Sequence, residues 1–144
     1  MSLHGPYDAN NLFAKILRGE VPAVKVYEDA DVLAFMDIFP QARGHLLVIP
    51  KNVTARNFIE LPAEKVAPLM AAVHRLTIAA EKALKPDGIT VTQFNGEDAG
   101  QTIFHLHFHI IPRYAGVRLA GHGHNNKADI AELQAIAEQI AAAL

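Results

Sequence analysis

His105-Leu106-His107-Phe108-His109-Ile110-Ile111-Pro112 sets three imidazoles at alternate positions. A β-strand sends successive side chains to opposite faces, so this spacing predicts that the histidines share one side while Leu106, Phe108 and Ile110 share the other. The apolar side packs, and the imidazole side is left for chemistry. On the residues alone three readings stand open. One is a polar sheet face that uses histidine where other proteins use charged or hydroxyl residues. The second is a facial metal site, because imidazoles two apart on a strand can share a zinc or iron ion. The third is phosphorus chemistry, with one imidazole as nucleophile and its neighbours as proton donors.

The rest of the chain narrows the class of protein. Its 144 residues, 51% of them hydrophobic, suit one domain with enough apolar material for a core. No linker, repeat or low-complexity tract divides it. The apolar runs fall well short of the roughly 18 residues a membrane span needs, and Met1-Ser2-Leu3-His4-Gly5 lacks the regions of a signal peptide. The expectation is a soluble cytoplasmic protein with no membrane partner. The absence of cysteine removes disulfides and thiolate metal sites. A net charge of −2 offers no basic surface for long nucleic acids, so any phosphorylated ligand must be recognised locally.

Residues 1–9 read as a flexible N-terminus and 10–144 as the single domain. Asn10 and Asn11 offer N-caps to a short helix over 12–18, which Gly19 stops. Strands are predicted over 24–27 and 32–37, with Glu28-Asp29-Ala30-Asp31 as the hairpin turn, and over 45–49, ended by Pro50. Pro62 opens a long helix to about 84, with Val66, Leu69, Met70, Val73, Leu76, Ala80 and Leu84 as its apolar stripe. Pro68 conflicts with a regular first turn, so that turn is distorted or the helix begins at Pro68 itself. Pro86-Asp87-Gly88 turns the chain into a strand over 89–94, the triad strand follows, and a last helix covers 129–143. The sum is an α+β fold: about five antiparallel strands, one long central helix, a short N-terminal helix and a C-terminal helix.

Three ordered blocks carry a family resemblance. Gly100-Gln101-Thr102-Ile103-Phe104-His105-Leu106-His107-Phe108-His109-Ile110-Ile111 resembles the signature of the histidine triad (HIT) family, alternate histidines preceded by Gly-Gln-Ser/Thr. Met36-Asp37-Ile38-Phe39-Pro40-Gln41-Ala42-Arg43-Gly44-His45-Leu46-Leu47-Val48-Ile49-Pro50-Lys51 is similar to that family's second landmark, and Phe13-Ala14-Lys15-Ile16 with Glu20-Val21-Pro22 to its opening segment. The bacterial Hint-like members are the nearest match. The resemblance implies a HIT-like fold and a nucleotide-binding hydrolase without metal or cofactor. Its partner would be a small-molecule nucleotide, and the protein would be a homodimer.

The same resemblance implies roles for particular residues. His107 is the nucleophile that carries a nucleotidyl group, His109 donates to phosphate oxygens, and His105 and His45 complete the imidazole cluster. Gln101 and Thr102 lie where phosphate oxygens are bound, Asp37 with Ile38 at the ribose, and Phe13, Ile16, Val21 and Phe35 at the base. Asn95 matches an asparagine near the phosphate, although its loop, Asn95-Gly96-Glu97-Asp98-Ala99-Gly100, is one residue shorter than in some members. By residue type alone His45, Gln101, Thr102 and Phe35 also read as structural. Imidazole suits the chemistry because its ordinary pKa of about 6.5 leaves much of it neutral and nucleophilic near pH 7.

Substrates implied are nucleoside phosphoramidates or related nucleotidyl adducts, with adenosine as the nucleoside. Dinucleoside polyphosphates are the alternative, toward which Pro112-Arg113 points, and a nucleotide-binding regulatory module with little turnover is a further one. His4, His74, His122 and His124 are read as lying outside the cluster.

Overall fold

A computed structural model describes residues 3–120 and 127–144. His122 and His124 lie outside the described residues. Helix α1 (Leu12–Leu17) starts where Asn11 accepts a hydrogen bond from the amide of Ala14 at 2.9 Å, a side-chain N-cap. Strands β1 (Lys25–Glu28), β2 (Val32–Met36) and β3 (Leu46–Pro50) precede the long helix α2 (Val66–Leu84). Strands β4 (Gly88–Thr92) and β5 (Phe108–Arg113) follow, and α3 (Ile130–Ala142) closes the described chain. All strand pairs are antiparallel, in the order β1-β2-β3-β5-β4.

Strands β2 and β3 are buried at every residue because both faces of the sheet are covered. Ala34, Met36, Leu46 and Val48 join Leu69, Val73 and Leu76 of α2 and Leu133, Ile136 and Ile140 of α3 in the larger core. The alternate residues Leu33, Phe35, Leu47 and Ile49 pack with Phe13 and Ile16 of α1 in a smaller one. Residues opposite one another in antiparallel strands share a face. Leu47 is paired with both Phe35 and His109, so His109 sits mid-sheet on the α1 side.

The strand expected to carry all three triad histidines begins later than its sequence suggests. Its ladder starts at Phe108, so His105 and His107 occupy irregular backbone ahead of it. The physical reason is a competing partner, since the amide of Leu106 donates to the carbonyl of Ala55 rather than to β3 or β4. Leu106 and Ile110 still reach the larger core, so the two-residue alternation survives the loss of the ladder.

Pro68 proves compatible with helix. A 3₁₀ turn at Ala63–Lys65 leads into α2, and Pro68 is the third residue of that helix, where an amide has no intrahelical acceptor to lose. His74 is exposed on the same helix. No helix among the described residues is long and apolar enough to cross a membrane. The N-terminal segment read as flexible makes side-chain bonds to the body: Asn57 Nδ2 donates to the carbonyl of Leu3 at 2.9 Å and Arg56 Nη1 to that of Pro6 at 3.1 Å.

Gly44, immediately before His45, has a φ of +89°, and a Cβ built there would overlap Leu84 Cδ1 and lie 3.2 Å from Pro112 Cγ. Both backbone strain and overpacking follow from any side chain. Gly44→Ala is expected to destabilise the protein by about 2 kcal/mol, read as a lower urea midpoint with an unchanged m-value.

Candidate active site

A cleft of about 290 Å³ opens between α1 and the sheet. Its walls are apolar, from Phe13, Ile16, Val21, Phe35, Ile38 and Leu47, and one end is polar, from Asp37, Thr102, His107 and His109. The T-shaped contacts of the Phe13 ring with Phe35 (centroids 5.4 Å apart) and with His107 (4.9 Å) join wall to polar end. A flat apolar slot ending in hydrogen-bonding groups is the form that recognition of a heterocycle with a polar tail requires.

The hydrogen bonds around the histidines assign each neutral ring its tautomer. The amide of Gln41 donates to Nδ1 of His45 at 3.0 Å, so the proton of His45 is on Nε2. That Nε2 lies 3.0 Å from Nδ1 of His109 and donates to it, which places the proton of His109 on its own Nε2. His107 is held in the opposite sense. Its Nδ1 donates to the carbonyl of His105 at 2.8 Å, which leaves the lone pair on Nε2. The rings of His107 and His109 stand with centroids 5.0 Å apart. The cleft therefore has, side by side, an imidazole poised as nucleophile and one poised as donor.

His105 stands behind them. Its Nε2 donates to the carbonyl of Pro50 at 3.1 Å, and its Nδ1 accepts from the hydroxyl of Tyr7 at 2.5 Å. Complete burial holds its pKa below the usual histidine value, the bond to Pro50 working weakly the other way. Asp37 Oδ1 accepts from the amide of Phe39 at 2.8 Å, and Oδ2 lies 3.6 Å from Nε2 of His45. Among the described residues Asp37, His45 and His109 form one group able to hold a metal ion, with ligand atoms within 4.8 Å of one another. An ion there would replace the hydrogen bond between the two imidazoles.

Nine of the sequence-predicted residues line the cleft: Phe13, Ile16, Val21, Phe35, Asp37, Ile38, Thr102, His107 and His109. His45 and His105 support the others from behind. Gln101 has a different place from the one read in the sequence. Its Oε1 accepts from the amide of Gly96, its Nε2 donates to the carbonyls of Arg56 and Ile103, and its own amide donates to Gly96. With both kinds of donor so engaged, Gln101 clamps the loop ahead of the triad. Asn95 is likewise turned to structure, its Oδ1 accepting from the amide of Phe58 and from Gln93 Nε2. Sequence reasoning missed Ile103 and Phe39 on the cleft wall, Phe94 tilted against His109 at 5.6 Å, and Tyr7. Ile103 and Phe39 lay inside quoted blocks, whereas nothing local marks Tyr7.

The family model described as the HIT domain matches residues 18–116. An uncharacterized HIT-like protein of Methanocaldococcus jannaschii is 47% identical over 105 residues, 73% of this chain and 80% of that protein. The adenosine 5'-monophosphoramidase hnt1 of Schizosaccharomyces pombe is 44% identical over 102 residues, 71% of this chain and 73% of that one. Among solved structures, a Hit-like protein involved in cell-cycle regulation from Bartonella henselae has a TM-score of 0.91 at 49% identity, covering 97% of this chain and 100% of its own.

The depressed basicity of His105 sets a sign for stability against pH. Below about pH 6.5 the unfolded chain binds a proton that the native ring refuses, so stability falls on acidification until the lowered native value is passed. The wild type is expected to lose up to about 1.4 kcal/mol per pH unit more than His105→Asn in that window, measured by urea denaturation of both proteins.

Proposed function

The chain belongs to the HIT domain family and has its α+β fold, and from this we propose that it is a metal-independent nucleotide hydrolase. It cleaves at the α-phosphate of adenosine phosphoramidates or related nucleotidyl adducts, through a nucleotidyl group carried on His107. The observation that carries this reading is the opposed tautomers of His107 and His109 at the polar end of the cleft.

The base lies in the slot of Phe13, Ile16, Val21, Phe35 and Ile38, and the ribose hydroxyls donate to Asp37, one of whose oxygens is already oriented by the amide of Phe39. Nε2 of His107 attacks the α-phosphorus, and the bond from phosphorus to the leaving nitrogen breaks as the new bond to the imidazole forms, the amine departing with a proton taken from solvent. The Nε2–H of His109 donates to a phosphate oxygen, where charge builds in the transition state. Water then attacks the same phosphorus and gives up a proton to solvent, balancing the one taken by the amine, as the bond from phosphorus to Nε2 breaks to release the nucleoside monophosphate and restore the imidazole. Thr102, which also lines the cleft, adds a hydroxyl for the phosphate. The fission-yeast relative named as an adenosine 5'-monophosphoramidase supports the choice of substrate. Pro112 and Arg113, the pair that resembles the polyphosphate branch, lie opposite Ile89 and Gly88 at the far end of β5 and are not among the residues lining the cleft, which supports the choice of a phosphoramidate. The same reading makes the protein a cytoplasmic homodimer that needs neither nucleic acid nor membrane.

His107→Asn is expected to lower kcat by at least about 10³-fold while AMP binds within a few-fold of wild type, because the base and ribose contacts lie elsewhere. His109→Ala is expected to slow turnover by about 10²-fold or more. Steady-state kinetics and intact-protein mass spectrometry after rapid quench check both, and an adduct mapping to His105 would refute the assignment. In parallel assays kcat/KM should be higher for an adenosine phosphoramidate than for a dinucleoside polyphosphate. A tenfold preference for the polyphosphate, about 1.4 kcal/mol of transition-state binding, would overturn the choice of substrate.

A further inference from the structure

Tyr7 stands outside the residues matched by the HIT domain model, 18–116, yet its hydroxyl reaches Nδ1 of a triad histidine. Because the ladder of β5 starts at Phe108, residues 103–107 have no ladder bonds to β3 or β4. Individual bonds hold them instead: Gln101 Nε2 to the carbonyl of Ile103 at 3.0 Å, the amide of Leu106 to Ala55 at 3.0 Å, and the ring of His105 to Pro50 at 3.1 Å. This stretch presents the carbonyl of His105, the acceptor that gives His107 its tautomer.

The ring of His105 has a fixed need. Pro50 offers only an acceptor, so Nε2 of His105 carries the proton and Nδ1 presents a lone pair. The ring is 0% exposed, so water is no ready substitute for a donor at Nδ1. The Tyr7 hydroxyl is that donor, and its ring meets the imidazole edge-on at 5.8 Å. Tyr7 is brought there by an anchored arm. Arg56 donates to the carbonyl of Pro6 and lies over the Phe104 ring at 4.8 Å, while its own carbonyl accepts from Gln101. Arm, loop and the residues ahead of β5 thus form one bonded unit.

We propose that Tyr7 is a positioning residue for His107: it pins the His105 ring against Pro50, and through it the carbonyl that keeps the lone pair of His107 on Nε2. The inference rests on the role given above to His107. It makes residues 3–8 part of the reactive unit, acting through His105 and touching no substrate.

The test is Tyr7→Phe in the full chain, which keeps the ring contact and removes the donor. kcat on an adenosine phosphoramidate is expected to fall about threefold to tenfold, the scale of one hydrogen bond, with KM within about twofold. In imidazole ¹⁵N NMR the Nδ1 resonance of His105 should move to that of a nitrogen without a donor, and His107 should change from one tautomer to a mixture. An unchanged kcat, or a His107 that keeps its single Nδ1–H tautomer, overturns the proposal. If Tyr7→Phe does not fold, site-specific 3-fluorotyrosine at position 7 decides the matter as a stronger donor of the same shape. It should shift the His105 Nδ1 resonance further in the hydrogen-bonded direction, and no shift overturns the proposal. A wild-type protein with no turnover of the phosphoramidate would defeat the functional reading alone, because the tautomer of His107 in wild type and variant would still decide the role of Tyr7.

Discussion

A neutral imidazole away from water must find an acceptor for its one N–H and a donor for its lone pair, and that demand, raised by four buried histidines, organises this protein. Three of the partners are backbone groups at the edges of regular structure: the amide of Gln41 in the turn before β3, the carbonyl of Pro50 at its end, and the carbonyl of His105 ahead of β5. These groups are there because strands stop, leaving donors and acceptors that no ladder consumes. The same economy explains why β5 starts late. An uninterrupted ladder through residues 105–107 would divert the backbone of that stretch from the bonds that orient the rings.

Once the tautomers are assigned, the chemistry of the cleft is set by geometry rather than by residue type. His107 and His109 are the same side chain two positions apart, yet one presents a lone pair and the other a proton. The difference arises entirely behind them, in which ring nitrogen is already engaged. A site built this way has its protein donors fixed in advance, so a charge developing in it would meet little reorganisation. Asp37 adds a negative group within 3.6 Å of His45, placing the carboxylate beside the relay without breaking it.

The apolar part of the cleft is an extension of the core. Phe35 and Leu47 belong to the smaller cluster with Phe13 and Ile16, and all four also line the cleft. A short helix capped by Asn11 completes both the packing of that sheet face and the slot above it. Such sharing ties binding to stability, since shrinking any of these side chains leaves a cavity in the core as well as a wider slot.

Much of this was legible in the linear chain. The two-residue alternation around Leu106 and Ile110, the helical stripe of α2, the Asn11 cap and the proline and glycine stops all depend on near neighbours, so they could be read residue by residue. The five strands and three α-helices of the described residues, and most of the cleft-lining positions, followed from those signals together with the family resemblance. What only the tertiary structure decided was the state and support of the side chains. The partners involved are distant in sequence, with Tyr7 98 residues from His105, His45 64 from His109, Pro50 55 from His105 and Arg56 45 from Gln101. Residue type establishes that an imidazole can be donor or acceptor and that a glutamine can bind phosphate or backbone. Which of these it does depends on the groups the fold sets around each ring nitrogen and each amide, and no local pattern encodes them.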